Sequence, residues 1–219
     1  MTESRSEAEH STAVALLDAA ETAFAEEGVD KVSLRAIMRS AGANTAAVHY
    51  HYGSRDELAM AVLDRVLEPL QARRLELLDE LVESAAARET APRVDELVEA
   101  LIRPDFEAVI AVADRNPEGA RIIGTIYARP SAFVKSFVSA SFAPVASRFL
   151  PHLRVALPDL GTQELAWRIR WGLFGILGAL LCDDDTIITP KTLEAELAHV
   201  VVVTVGAVSA RPSRSQARD

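Results

Sequence analysis

The chain has 219 residues, 49% hydrophobic and 25% charged, enough for a buried core in one large domain or two small ones. A net charge of −9 excludes a general nucleic-acid coat, and the longest uncharged apolar stretch in the C-terminal half, Trp171 to Cys182, is 12 residues, where a membrane span needs about 20. The lone cysteine, Cys182, reads as a small buried hydrophobe and excludes an internal disulfide; the charged opening (Glu3, Arg5, Glu7, Glu9) has no following apolar run of a signal peptide, so a cytoplasmic location is expected.

Apolar residues recur mostly at spacings of three and four, which predicts an all-α protein. Residues 1–9 are polar and expected to be mobile. A first helix over about 11–27 places Ala13, Leu16, Leu17, Ala20 and Phe24 on one face, and Gly28 is its expected C-cap. Ser33 can cap a second helix that turns Leu34, Ile37 and Ala41 inward, and Gly42 suits the tight turn after it. Asn44 or Thr45 can cap a short third helix reaching about Tyr52. Ser54 and Glu57 form a capping box for a fourth helix, expected to break or kink at Pro69. Further helices are read at roughly 70–87, 93–114, 118–128, 131–149, 162–182 and 191–209, with a disordered tail over 210–219. The Val200–Val203 run is strand-like by composition, but Leu193, Leu197 and Val201 at period four favour helix.

Function concentrates in the window from Val32 to Leu58. Between residues 31 and 55 lie Lys31, Arg35, Arg39 and Arg55 with no acidic residue, a local +4 that leaves −13 on the rest of the chain. Two short capped helices joined by a glycine turn make a helix-turn-helix, whose second helix offers its N-terminal end to base edges. Asn44, Thr45 and His49 are the candidate polar base readers, and Ala46 is small enough to meet a thymine methyl. Ser33, Arg35, Tyr50, His51 and Arg55 are the candidate phosphate contacts, with Arg39 read as a solvated charge. Ile37, Ala41, Val48 and Tyr52 hold the interhelical angle. His49 and His51 point to different helix faces, which argues against a shared metal ion.

The same residues resemble the DNA-binding domain of the TetR/AcrR family of one-component regulators. Ser33, Arg35, Ile37, Ala41, Gly42, Val48, Tyr50, His51, Tyr52, Ser54, Arg55 and Leu58 occupy matching positions. Departures stand at Thr45, where lysine is frequent, at His49, where tyrosine is frequent, and at Gly53, where proline is frequent; these bear on which bases are read. The resemblance implies an all-α homodimer without catalysis or cofactor, with a helix-turn-helix domain over 1–53 and a helical effector-binding and dimerisation domain over 54–209. It implies a repressor on palindromic double-stranded DNA, released by a small-molecule effector. Phe106, Ile122, Ile126, Tyr127, Phe133 and Phe137 are then either core or pocket lining, with Arg121 and His152 as possible polar anchors. Gly172, Gly175 and Gly178 either form a dimer seam with Leu197 and Val201 or relieve crowding. The stretch from Pro69 to Asp79 is similar to a branch in which some members respond to fatty-acyl compounds, which suggests a lipophilic or acyl effector.

The competing reading is an all-α small-molecule carrier or enzyme in which the helix-turn-helix is only architectural. No nucleophile–base pair or metal cluster stands out to support it. Its starting points are His152 and the run Asp183, Asp184, Asp185, which reads more simply as a solvated, helix-capping loop.

Overall fold

The computed structural model describes residues 2–128, 130–171 and 188–210, with side chains from His10 onward. Its helices are α1 (Thr2–Glu27), α2 (Leu34–Ser40), α3 (Thr45–Tyr52), α4 (Arg55–Ala87), α5 (Val94–Arg115), α6 (Ile122–Ala128), α7 (Ala132–Ala156), α8 (Thr162–Ile169) and α9 (Leu193–Ser209), with a 3-10 turn at Pro117–Gly119 before α6. The described residues contain no strand, so the all-α expectation is met, and Val200–Val203 is helical. Gly172, Gly175, Gly178, Cys182 and Asp183–Asp185 lie outside the described residues, as does the tail from Arg211.

Four boundaries differ from the sequence expectation. α1 begins at Thr2, so the polar opening continues the helix. α4 runs unbroken through Pro69 for 33 residues. Proline there removes one intrahelical bond, a cost of about 3 kcal/mol. Val66, Leu67 and Leu70 around it are all buried, and their packing against the neighbouring helices offsets that loss. The helix expected over 118–128 divides into the 3-10 turn and α6. Gly119 passes so close to α1 that an added Cβ would lie 2.6 Å from Asn116 Nδ2 and 2.9 Å from Glu21 Oε1. α7 likewise passes Pro144 and Pro151 and ends at Ala156.

One apolar core runs from Leu16 in α1 to Val208 in α9, so α1–α3 and the later helices share an interior. At its centre lies Arg74 of α4, fully buried. Its Nη2 donates to Asp105 Oδ2 at 2.6 Å, its Nε to the Leu101 carbonyl at 2.8 Å and its Nη1 to Gln71 Oε1 at 2.9 Å. Its guanidinium lies 5.3 Å from the centroid of Phe142 on α7. Tyr127 on α6 donates to the other Asp105 oxygen at 2.8 Å. Burial and the adjoining carboxylate push the Tyr127 hydroxyl well above its ordinary pKa, so it remains a donor. Every oxygen of this carboxylate has a donor, which is the condition for tolerating a buried ion pair.

The expected pocket residues separate here. Phe106, Ile122, Ile126 and Tyr127 are buried in the core, and Phe133 packs half-buried against it. Of the six, Phe137 lines the open groove between α4 and α7. Of the expected seam residues, Leu197 is buried and Val201 half-buried against the chain's own core, whereas Val202 and Val203 on α9 and Trp167 on α8 stand exposed. Helical phase explains this burial: α9 turns its 197–200–204–208 stripe inward, against α5.

Replacing Arg74 by Met leaves Asp105 buried without its cation. The expected loss is about 3–5 kcal/mol of unfolding free energy, measured by urea denaturation. Tyr127→Phe removes only one neutral donor and is expected to cost about 1–3 kcal/mol in the same assay.

Candidate nucleic-acid interface

α2 and α3 are each too short to persist alone, so their ends and their buried contacts must hold them. Ser33 accepts from the Ala36 amide at 3.2 Å, and Asn44 accepts from the Ala47 amide at 2.9 Å. The Ser33 cap is therefore formed as expected, and of Asn44 and Thr45 it is Asn44 that caps α3. Gly42 adopts a φ of +62° in the turn between them, a conformation that side chains rarely tolerate. Ile37 of α2 and Val48 of α3 are fully buried and set the crossing. Ala41 and Tyr52 pack half-buried beside them, and the Tyr52 hydroxyl donates to the Ala13 carbonyl of α1 at 2.8 Å.

α3 ends at Gly53, φ +74°, where a Cβ would collide with the Glu57 carboxylate. The family's frequent proline cannot reach this backbone, since its ring holds φ near −65°. The Glu57 amide donates to Ser54 Oγ at 3.2 Å, starting α4.

Burying Val48 turns the opposite side of α3 outward. Thr45, Ala46, His49 and Tyr50 are exposed along it, with Asn44 beside them at the N-terminus, and Tyr50 keeps 72% of its surface free. His49 Nδ1 lies 2.6 Å from the Gly53 carbonyl. A carbonyl only accepts, so Nδ1 donates in this bond and Nε2 is left for another partner. His51 is half-buried, its ring edge-on to Tyr50 at 4.9 Å.

Among the four cations of the window, Lys31, Arg35 and Arg39 are exposed. Arg55 is placed differently. Its Nε and Nη2 donate to the Val32 carbonyl, both at 3.2 Å, and Nη2 also donates to the Val29 carbonyl. Its guanidinium lies 6.0 Å from the Phe24 ring centroid, and Nη1 pairs with Asp56. Expected as a phosphate contact, Arg55 is occupied in fastening the α1–α2 connection to the start of α4.

A second cluster, not anticipated from the sequence, joins this head to the rest of the chain. Glu21 of α1 is fully buried and accepts from Arg65 Nη2 at 2.7 Å, Arg115 Nη2 at 2.6 Å and Asn116 Nδ2 at 3.1 Å. Arg65 also reaches Asp18 at 2.7 Å, Thr22 donates to Asn116 Oδ1 at 3.2 Å, and Thr125 of α6 donates to the Ala25 carbonyl at 3.0 Å. Partners 44 to 100 residues apart leave no local pattern to read. The packing of α1 against α4, α6 and the 3-10 turn, where Gly119 comes close to Glu21, brings them together.

Comparison with known proteins agrees with this layout. Residues 16–62 match the family described as bacterial regulatory proteins, tetR family, and residues 99–188 match the tetracyclin repressor-like C-terminal domain. The HTH-type transcriptional regulator BetI of Rhizobium meliloti (strain 1021) is 26% identical over 197 residues, covering 84% of this chain and 83% of that protein. Two solved structures share the fold. The fatty acid degradation regulator FadR from Bacillus halodurans gives a TM-score of 0.59 at 15% identity, covering 91% of this chain and 97% of its own. A member of the TetR transcriptional regulator family from Streptomyces coelicolor A3 gives 0.54 at 16% identity, covering 90% and 91%.

Removing the Asn44 cap by Asn44→Ala is expected to cost about 1 kcal/mol, read as a lower urea midpoint. Arg55→Ala is expected to speed amide hydrogen exchange across residues 29–37 more than elsewhere in the chain, because it frees two backbone carbonyls there.

Proposed function

Because the chain belongs to the TetR family, and is a DNA-binding transcription regulator on that ground, we propose that it is a one-component repressor released from a palindromic operator by a small lipophilic effector. The matched families are those of regulators rather than enzymes. The observation that carries the reading is the outward face of α3. Thr45, Ala46, His49 and Tyr50 lie on one side of a helix capped at both ends, with the free cations Lys31, Arg35 and Arg39 on the same small head.

Roles on this face follow from chemistry. Thr45 and His49 Nε2 read base edges, and Ala46 packs against a thymine methyl. Asn44 spends its oxygen on the cap and keeps its NH2 for a base or phosphate. Ser33 likewise accepts with its lone pair and keeps its O–H to donate. Tyr50, His51 and Arg35 hold phosphates and fix the register. The acidic remainder of the chain repels DNA elsewhere, so affinity depends on this head.

A single short helix reads only a few base pairs, so a homodimer is part of the proposal. Its support is the apolar surface that α8 and α9 leave uncovered, with Val202 72%, Trp167 54% and Val203 57% exposed. Pairing two copies there removes this surface from water. Among the described residues no helix is long and apolar enough to cross a membrane, and we place the protein with the DNA, in the cytoplasm.

Fluorescence anisotropy with duplexes from the DNA flanking its own gene tests the reading. Sequence-specific, salt-sensitive binding is expected, and its absence on every such duplex overturns the proposal. Tyr50→Ala is expected to weaken binding about equally across sequences, whereas His49→Ala relaxes preference at one position by about 1–3 kcal/mol. Val202→Glu with Val203→Glu is expected to shift the mass seen by light scattering from dimer to monomer and to weaken operator binding with it.

A further inference from the structure

A dimer reads an operator by the distance and angle between its two heads as well as by each recognition helix. In this chain two routes lead from the apolar surface of α8 and α9 towards α3. One is α4, which packs against α5 and α7 and continues into the head through Ser54. The other is α5, which packs along α9 and is tied to it by Arg103 Nη1 on Glu194 Oε1 at 2.7 Å. Both routes end on one side chain, Glu21 of α1. Its Oε2 accepts from Arg65 Nη2 of α4 at 2.7 Å and from Arg115 Nη2 of α5 at 2.6 Å, and its Oε1 accepts from Asn116 Nδ2 at 3.1 Å.

This meeting point is rigid. Glu21 is fully buried, so water does not replace a lost partner. Asn116 is held at both ends of its carboxamide, by Thr22 on Oδ1 and by the Asp18 carbonyl on Nδ2, each at 3.2 Å. Gly119 leaves no room for adjustment, since a Cβ there would lie 2.9 Å from Glu21 Oε1. Arg65 stays on Asp18 and Glu21 although its Nε is buried without a hydrogen-bond partner among the described residues, so α1 dictates its place. The same charges reach the recognition helix. Burial holds the Tyr52 hydroxyl above its ordinary pKa, with Arg65 pulling it down and Asp18 pushing it up, and that hydroxyl donates to the Ala13 carbonyl of α1.

We propose that Glu21 is the positioning residue that fixes the half-site spacing this regulator accepts. α3 rests on α1 through Tyr52, so the place where Glu21 is clamped sets the recognition helix relative to the dimer surface. One base pair more or less between half-sites moves one of them by about 3.4 Å along the duplex and about 35° around it. A hydrogen bond is lost within about 1 Å of stretch. A head held by three bonds to one buried carboxylate therefore cannot follow such a step without giving them up, and the clasp makes the protein selective for one spacing. Without it the head is joined through the α3–α4 turn and apolar packing, which is not directional and accommodates sliding. The proposal rests on the homodimer reading above and adds the residue that sets the geometry between the heads.

Fluorescence anisotropy of the full-length protein at low salt tests it on three kinds of duplex: the operator found in the DNA flanking its own gene, that operator with one base pair inserted or removed between the half-sites, and a single half-site. Wild-type affinity is expected to fall at least about tenfold on either change of spacing. Glu21→Gln is expected to cut that penalty to about threefold or less while leaving half-site affinity within about twofold. Gly119→Ala crowds the clasp without removing a charge and is expected to flatten the spacing profile in the same direction. Arg115→Gln, at an exposed position, removes the α5 tie and carries the test where Glu21→Gln does not fold, as read by circular dichroism. A spacing profile unchanged in the folded variants, or an equal loss on half-site and full operator, overturns the proposal. Wild-type protein indifferent to spacing overturns it together with the homodimer reading, whereas wild-type protein that binds no duplex overturns the regulator reading itself.

Discussion

The continuity of α4 is the constraint on which the rest of this structure depends. Three of its four arginines, Arg55, Arg65 and Arg74, stand roughly 15 and 14 Å apart by helical rise. The first fastens the α1–α2 connection, the second meets Glu21 at the junction, and the third is the buried centre of the later helices. A break at Pro69 would separate the third from the other two. Unbroken, α4 fixes the DNA head and the helices behind it in one frame.

That frame explains why a recognition helix of only eight residues can keep its orientation. Its own hydrogen bonds are few, and one side chain, Val48, is buried. Its angle comes from outside: the Tyr52 hydroxyl on Ala13, the Asn44 cap, the Gly53 turn and the Arg55 clamp. The residues that hold the helix and those that face outward are separate sets, apart from Asn44 and His49, which do both. Change in the outward set can therefore alter what is read without loosening the fold.

The junction has a different character. Glu21 is buried among Arg65, Arg115 and Asn116 and draws on α1, α4 and the end of α5. Buried charge is intolerant of small displacements, because losing one partner leaves the others uncompensated. A shift of α4 or of the 3-10 turn must therefore move α1 with it or give up these bonds. Apolar packing alone would let the two parts slide. The polar clasp ties the position of α1 to that of α4 and the end of α5.

Much of this was legible in the chain itself. Helical period, Ser33, Asn44 and Ser54 as caps, and glycines at 28 and 42 are local signals, and local hydrogen bonding and backbone sterics decide them without distant partners. The outward face of α3 followed from the same period once Val48 was assigned inward. What the sequence could not decide was settled by contacts between distant residues. Pro69 reads as a breaker until the burial of Val66, Leu67 and Leu70 is known. Arg55 reads as a free cation until the Val29 and Val32 carbonyls stand before it. Phe106 and Ile122 read equally as pocket or core, and only close packing assigned them to the core. Arg74, Asp105 and Glu21 carry no local mark at all. A buried ion pair is defined by what surrounds it, and 31 to 95 residues of intervening chain separate these partners, so tertiary structure alone could bring them together.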